Sequence, residues 1–537
     1  MAKSRVTPTI LSCGGWTGMR YSAWTSQSDA TKAIFALNGY VDPAGPGSPY
    51  RSRPGRYRVS STALASPGQL VHQFAKNDGT QYTVAISGGK FYTLNWGTST
   101  WTETLSAANL SAASITLSST ARCYGLTFNN TMVISDGVNT PWTWDGTSGG
   151  GLTKLTNAPV FYGQPTVRAG KLFGIKNSDR ATIVWSEEND ATTGYESGGY
   201  SNVWALIQQG SEGLEAIRGT NDGLLYWRAG SIGTIYGDFG AEFQTTNTFD
   251  SVSNLIGTRS PRGVLYYNDT FYFPDQRGRP WMLRQGGTPE PLWQQVSPFF
   301  PLDTGDAEFL GTPIGYASTS AVDLAAMETI PLHSTSGVLF CNSTDLNSGD
   351  DTHGALYYDT SGTAQGFWLW LATAAGVGAS GSVLNSTTSA MEVLQVEEDG
   401  YTYALGKSGQ WIDQQTSGAT QGVPLIVITP YLGVTSGVEM RFERANVVLG
   451  SSSDGDVDVS LRSSTSAAPS GATPLTATAT STFNQQERRV CFGLNRSGRW
   501  YAANIQIEHA NTSDNFSLAF QRMSVVAFAD NDSPGFP

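Results

Sequence analysis

Short runs of aromatic and β-branched residues recur along this chain, separated by turns rich in Gly, Asp, Asn, Ser and Thr. GGKFYTLNWGTSTWTE (88–103) predicts two strands around an Asn-Trp-Gly turn, and GKLFGI (170–175), GLLYWR (223–228), DTFYFP (269–274), GALYYD (354–359) and GYTYAL (400–405) repeat its first strand. NNTMVISDGVNTPWTW (129–144) keeps the turn and the paired Trp142 and Trp144 with smaller apolar residues. The copies start near 89, 130, 170, 223, 269, 354 and 400, roughly 40 to 55 residues apart except for one long gap after 269, where GVLFCN (337–342) is a candidate strand. Hairpins at this spacing suit a β-propeller, because each four-stranded blade has two apolar faces that only neighbouring blades can cover. A string of β-sandwiches has similar strand density but no such period. The expected fold is therefore all-β, with a β-propeller of six to eight blades over residues 67–420.

Two regions depart from the repeat. Residues 1–66 form an expected N-terminal arm, and within it VDPAGPGSPYRSRPGRYR (41–58) is too rich in Pro and Gly for a central strand. After about 421 the pattern changes to longer alternating runs, PLIVITPYL, MRFERANVVLG, GDVDVSLR, RRVCFGL, RWYAANIQIEH and FSLAFQRMSVVAF, which predict an antiparallel β-sandwich over 421–537.

Composition sharpens this picture. Of the 537 residues only 14% are charged and 61 are glycine, which favours turns and strands over charged amphipathic helices. A net charge of -12 disfavours a surface that clamps nucleic acid by neutralising phosphates. Cys13, Cys123, Cys341 and Cys491 lack C-x-x-C spacing and follow a start without an apolar signal region, so reduced, buried thiols made in a cytoplasm are expected. The sequons at Asn129 and Asn342 are then chance matches. No apolar run is long enough to predict a membrane span.

Several motifs are candidates for chemistry. Gly376-Val377-Gly378-Ala379-Ser380-Gly381 matches G-x-G-x-x-G, but the β-prone SVLNSTTSAMEVLQV that follows offers no helix terminus for a pyrophosphate, and a flexible glycine loop is expected. Asp454, Asp456 and Asp458 lack the calcium-loop pattern; alternation with Val457 and Val459 predicts a strand with valines inward. Glu187 with Glu188, and Glu397 with Glu398 and Asp399, are the local candidates for a glycosidase pair, yet adjacent strand residues point to opposite faces. SDGVNTPW (135–142) resembles the Asp-box of sialidase blades without its Ser-x-Asp-x-Gly-x-x-Trp register. His72, His333, His353 and His509 share no metal-ligand spacing. No catalytic, cofactor-binding or metal residue is therefore assigned. Tyr50, Arg51, Arg53, Pro54, Arg56, Tyr57 and Arg58 form a basic, aromatic cluster in an acidic chain, of the composition enriched at contact hot spots. They are the candidate assembly interface. With no apolar periodicity around them, Arg51, Arg53 and Arg56 are expected to serve docking rather than folding.

Asn38-Gly39-Tyr40, SRPGRY (52–57), QFAKNDGTQYTVAISGGKFYTL (73–94) and the blocks within 172–237 together resemble the tail nozzle (tail hub) proteins of short-tailed bacteriophages, over most of residues 38–410. The resemblance implies a non-enzymatic structural protein of the virion tail. A homohexamer would form a tube below the head-to-tail adaptor ring, with propellers outside, contacts to tail fibres or other tail proteins, and genomic DNA passing through the lumen without specific binding. It implies synthesis in the bacterial host cytoplasm and no membrane insertion. A propeller binding module, such as a lectin or receptor-binding tail protein, is the alternative, and a propeller glycosidase a third reading.

Overall fold

The computed structural model describes residues 9–14, 33, 35–41, 50–196, 201–205, 212–237, 239, 248–294, 296, 308–309, 312–313, 321–341, 353–361, 366–372, 377–397, 399–406, 412–414, 420–423, 425–429, 440–451, 455–464, 477–483, 488–493, 502–509 and 518–529. Seven antiparallel sheets form a seven-bladed β-propeller. Blades 1 to 6 occupy residues 68–105, 124–154, 161–205, 214–253, 265–291 and 328–372. Blade 7 takes three strands from residues 377–405 and its fourth, Arg56–Arg58, from near the start of the chain. Its first strand, Val377–Asn385, lies against the first strand of blade 1, Gly68–Ala75, which closes the ring.

The strand Gly223–Arg228 of blade 4 shows why such a ring holds together. Successive side chains on a strand point to opposite faces. Leu224 and Tyr226 pack with Phe173, Ile175 and Trp185 of blade 3, while Leu225 and Trp227 pack with Phe271, Phe273 and Trp281 of blade 5. The ring centroids of Trp227 and Phe271 are 5.5 Å apart. The same division recurs between blades 1 and 2 around Trp142 and Trp144, between blades 2 and 3 around Phe161 and Tyr195, and between blades 7 and 1 around Val396 and Tyr92.

The recurring aromatic hairpin is not the same strand of every blade. It is the second strand in blades 2 to 5, as in Lys171–Lys176 and Thr270–Pro274, but the third in blades 1, 6 and 7, as in Lys90–Asn95, His353–Asp359 and Thr402–Leu405. Two features lengthen the gap after 269: residues 292–327 intervene between blades 5 and 6, and the repeat shifts from the second strand of blade 5 to the third of blade 6. GVLFCN falls there as Gly337–Cys341, the second strand of blade 6.

Glycine is required where blades 7 and 1 meet. A Cβ on Gly378 would lie 2.8 Å from the Gly68 carbonyl oxygen, and one on Gly381 would lie 2.3 Å from that of Val71. Residues 377–381 of the G-x-G-x-x-G match are thus part of an axial strand rather than the expected flexible loop, and Gly378 and Gly381 let two backbones approach closely; Gly376 lies outside the described residues.

The six runs expected after 421 are strands, shared between two sheets. Both sheets also recruit the chain's beginning. Thr9–Gly14 and Tyr50–Ser52 pair with Leu518–Ala529, and Phe35–Leu37 pairs with Leu425–Ile428. Phe35–Leu37 also meets Phe367–Ala372, the last strand of blade 6, in a parallel pairing of Leu37 with Leu369, so blade 6 continues into one of these sheets. Residues 1–66 therefore supply strands to three different sheets.

Trp227 is fully buried between blades 4 and 5, and Trp227→Ala is expected to destabilise the protein by roughly 3–5 kcal/mol in denaturant unfolding. A loss below about 1 kcal/mol would mean that the blade interface tolerates a void and is not the main source of propeller stability.

Candidate functional site

The arginine-rich segment runs from one sheet to another. Tyr50–Ser52 lies between Gly39–Val41 and Leu518–Ala529, and four residues later Arg56–Arg58 pairs with Thr402–Leu405 in blade 7. Pro54, which cannot donate to a ladder, sits at the crossing. Asn38 adopts a left-handed φ of 55°, its carbonyl accepts the Arg53 N–H at 2.8 Å, and its Oδ1 accepts Arg53 Nε at 3.2 Å. A Cβ on Gly39 would lie 2.2 Å from Cζ of Tyr50, so that ring occupies the space a side chain would need. Tyr50 is fully buried, which pushes its phenol pKa well above the usual value. The quoted Asn-Gly-Tyr and Ser-Arg-Pro-Gly-Arg-Tyr motifs thus form one packed corner.

Arg56 carries the connection into the propeller. Its guanidinium pairs with Glu397 and lies 4.1 Å from the Tyr403 ring centroid; the side chains of Arg56 and Glu397 are 3% and 0% exposed. Tyr57 donates to Glu392 at 2.7 Å, and the Arg58 guanidinium is 5.1 Å from the Tyr401 ring. Arg51 is half-buried in its strand. The expectation that these arginines contribute little to a core is corrected at Arg53 and Arg56, which are buried. Composition suggested an exposed docking arm, but a guanidinium can enter a core when a carboxylate and an aromatic face meet it there.

A second constellation lies on the propeller axis, and pattern reading missed it. Glu328 opens the first strand of blade 6 and is 3% exposed. It pairs with Arg262, just before blade 5, at 2.5 Å, and with Arg122, just before blade 2, at 3.3 Å. Ser380 of blade 7 donates to its other carboxylate oxygen. Blades 2 and 6 are not neighbours, so the Arg122–Glu328 pair links blades that share no face. Burial holds the Arg122 pKa below its usual value, an effect that Glu328 opposes. Further along the axis Arg218 of blade 4 donates to Gln164 of blade 3 at 3.0 Å and to the Val264 carbonyl beside blade 5 at 2.8 Å. Its pKa is lowered by burial to about 10. Chemically these are ties: the Glu328 carboxylate is occupied by three donors and is not poised as a base.

The remaining sequence candidates are dispersed. Glu187 accepts from Asn202 at 2.7 Å, Glu397 is held by Arg56, and Asp399 caps a turn through the Tyr401 N–H at 2.9 Å; Glu398 lies outside the described residues. Asp456 and Asp458 are on the strand Gly455–Ser464 with Val457 buried, as expected, while Asp454 lies outside the described residues. His72 sits between blades 1 and 2, where burial lowers its pKa to about 4, and His333 contacts Ser382 at 2.7 Å. His353 and His509 are on separate strands. Cys123 and Cys341 are free and buried, and burial pushes both thiol pKa values up. Among the described residues no group of three or more His, Cys, Asp or Glu side chains could hold a metal ion, and no helix is long and apolar enough to cross a membrane.

Eight aspartates have a local structural use. Aspartate carboxylates accept the backbone N–H two residues on at Asp78, Asp136, Asp145, Asp179, Asp190, Asp275, Asp359 and Asp399. These are the turns that join the strands of a blade. In the Asp-box-like SDGVNTPW, Asp136 is buried and also accepts the Asn139 N–H at 2.7 Å. Asp275, six residues before Trp281, accepts from the Trp281 indole at 3.0 Å.

Removing one partner from a buried ion pair leaves the other uncompensated. Glu328→Ala and Arg56→Ala are each expected to cost roughly 3–5 kcal/mol in denaturant unfolding, and replacing both members of the Arg56–Glu397 pair with apolar residues should restore much of that loss. If Arg56→Ala left the unfolding midpoint unchanged, the segment would not be part of the folded core.

No protein-family model and no curated protein matches the chain. Among solved structures it is similar to the computationally designed Ika8 protein at 11% identity and a TM-score of 0.35, over 64% of this chain and 98% of that one. It is similar to BamB from Moraxella catarrhalis at 11% identity and a TM-score of 0.31, over 71% of this chain and 95% of that one. PorZ of Porphyromonas gingivalis, a bacterial surface component of the type-IX secretion system, is similar at 10% identity and a TM-score of 0.35, over 72% of this chain and 44% of that one.

Proposed function

We propose that the protein is a non-enzymatic structural component of a short phage tail, the protomer of a homohexameric nozzle through which DNA leaves the virion. The reading rests on the resemblance of most of residues 38–410 to tail nozzle proteins. One structural observation supports it: the propeller is joined at two places to strands drawn from both ends of the chain. Blade 6 runs on through Phe35–Leu37 into the sheet that contains Leu425–Ile428, and residues 50–58 link the sheet of Leu518–Ala529 to blade 7. A protomer that bears load in a ring needs its lobes held by sheet hydrogen bonds and buried ion pairs rather than by a flexible linker. In this reading the adaptor ring and tail fibres are the protein partners, and DNA is transported without being bound specifically.

The acidic balance agrees with passage of DNA, because a wall that repels phosphate does not retain it. Solution mass together with electron microscopy of the purified protein tests the assembly. A six-fold ring with peripheral lobes, formed alone or on addition of the adaptor, is the expected result. Single particles under every condition, adaptor included, would remove the tube model.

A further inference from the structure

An open groove of about 480 Å³ runs between the outer parts of blades 4 and 5, away from both constellations above. Its floor is apolar and rigid: Leu225 and Leu283 belong to the buried cluster around Trp227. One wall carries Asp222, Tyr236 and Asp250 of blade 4, and the other carries Gln285 and Thr288 of blade 5; Arg284, next to Leu283 on its strand, turns to the opposite face, toward Tyr272 and Tyr358 of the blade 5–6 seam. The Gln285 amide donates to Asp222 at 2.9 Å across the two blades, which sets the width.

Tyr236 is a large side chain left 36% exposed, at the end of the strand Ile232–Tyr236. Its cross-strand partner is Gly223, where a Cβ would lie 3.3 Å from Cδ1 of the ring. The missing side chain leaves room for the ring to lie over the strand.

We propose that this groove binds a neutral saccharide. A pyranose has an apolar C–H face that an aromatic ring covers, and hydroxyls that both donate and accept. Carboxylates at Asp222 and Asp250 are strong acceptors, the Thr288 hydroxyl can donate or accept, and the Gln285 amide has a second N–H beyond the one it gives to Asp222. The volume is that of a small-ligand cleft, a few hundred cubic ångströms, roughly 300–1,000 Å³. Two carboxylates disfavour a phosphate or an anionic sugar, and a cationic ligand is separated from a neutral one by the spermidine comparison below. The site is independent of ring assembly, which the mass measurement reads separately.

The test is binding of the full-length protein to an array of neutral mono- to tetrasaccharides, followed by saturation-transfer NMR on the best of them. Saturation transfer to at least one neutral sugar is expected. Tyr236→Ala and Asp250→Asn should each weaken binding about tenfold or more, with melting temperatures within about 2 °C of the parent because both side chains are exposed. The proposal is overturned if no neutral sugar binds, or if binding survives both substitutions unchanged. It is overturned equally if spermidine or 3′-sialyllactose binds this groove more tightly than any neutral sugar.

Discussion

Every blade of this propeller depends on having a neighbour on both sides. A four-stranded sheet with large apolar side chains on both faces is unstable alone, so the seam where the last blade meets the first decides whether the ring exists. Here the seam is made by three separate devices. Arg56–Arg58, from the chain's beginning, supplies the outermost strand of the last blade; Gly378 and Gly381 let the axial strands of blades 7 and 1 approach; and the Arg56–Glu397 pair locks the added strand from within. Val59, just past the added strand, joins the apolar cluster between these two blades.

Charge takes part in the same task. A buried ion pair is weak evidence for stability, since apolar residues of like shape often do as well, but it is specific about geometry. Glu328 brings Arg122, Arg262 and Ser380 to one point and thereby relates blades 2, 5, 6 and 7 across the axis. Apolar faces alone only relate neighbours. The turn aspartates act at shorter range, each directing the chain from one strand into the next. Together they give a chain with few charged residues two distinct uses for carboxylates, one at the axis and one in the turns.

How the propeller is anchored has consequences for mechanics. Blade 6 extends by strand pairing into a sheet of the C-terminal region, and residues 50–58 pass from the other C-terminal sheet into blade 7. Two adjacent blades are therefore tied to strands that include both ends of the chain. Blades 4 and 5, with the groove between them, lie elsewhere in the ring.

The all-β class, the propeller and the six C-terminal strands were legible in the sequence because each rests on local chemistry, while the blade count was bounded only between six and eight. Two-residue alternation, turn residues at strand ends and aromatic strands at a regular spacing survive without knowledge of distant contacts. What the alternation could not reveal was phase: a second and a third strand of a blade carry the same pattern, since both are covered on two faces, so the gap after 269 was ambiguous until pairing assigned Gly337–Cys341. The arginine segment shows the limit most clearly. Read locally, Arg53 and Arg56 among prolines and glycines belong in solvent; only the fold brings Glu397, 341 residues away, and the Tyr403 ring to meet Arg56. The same holds for Arg122 and Glu328, 206 residues apart. Side chains that pair across such separations leave no periodic trace in the sequence, because their proximity comes from closing the ring.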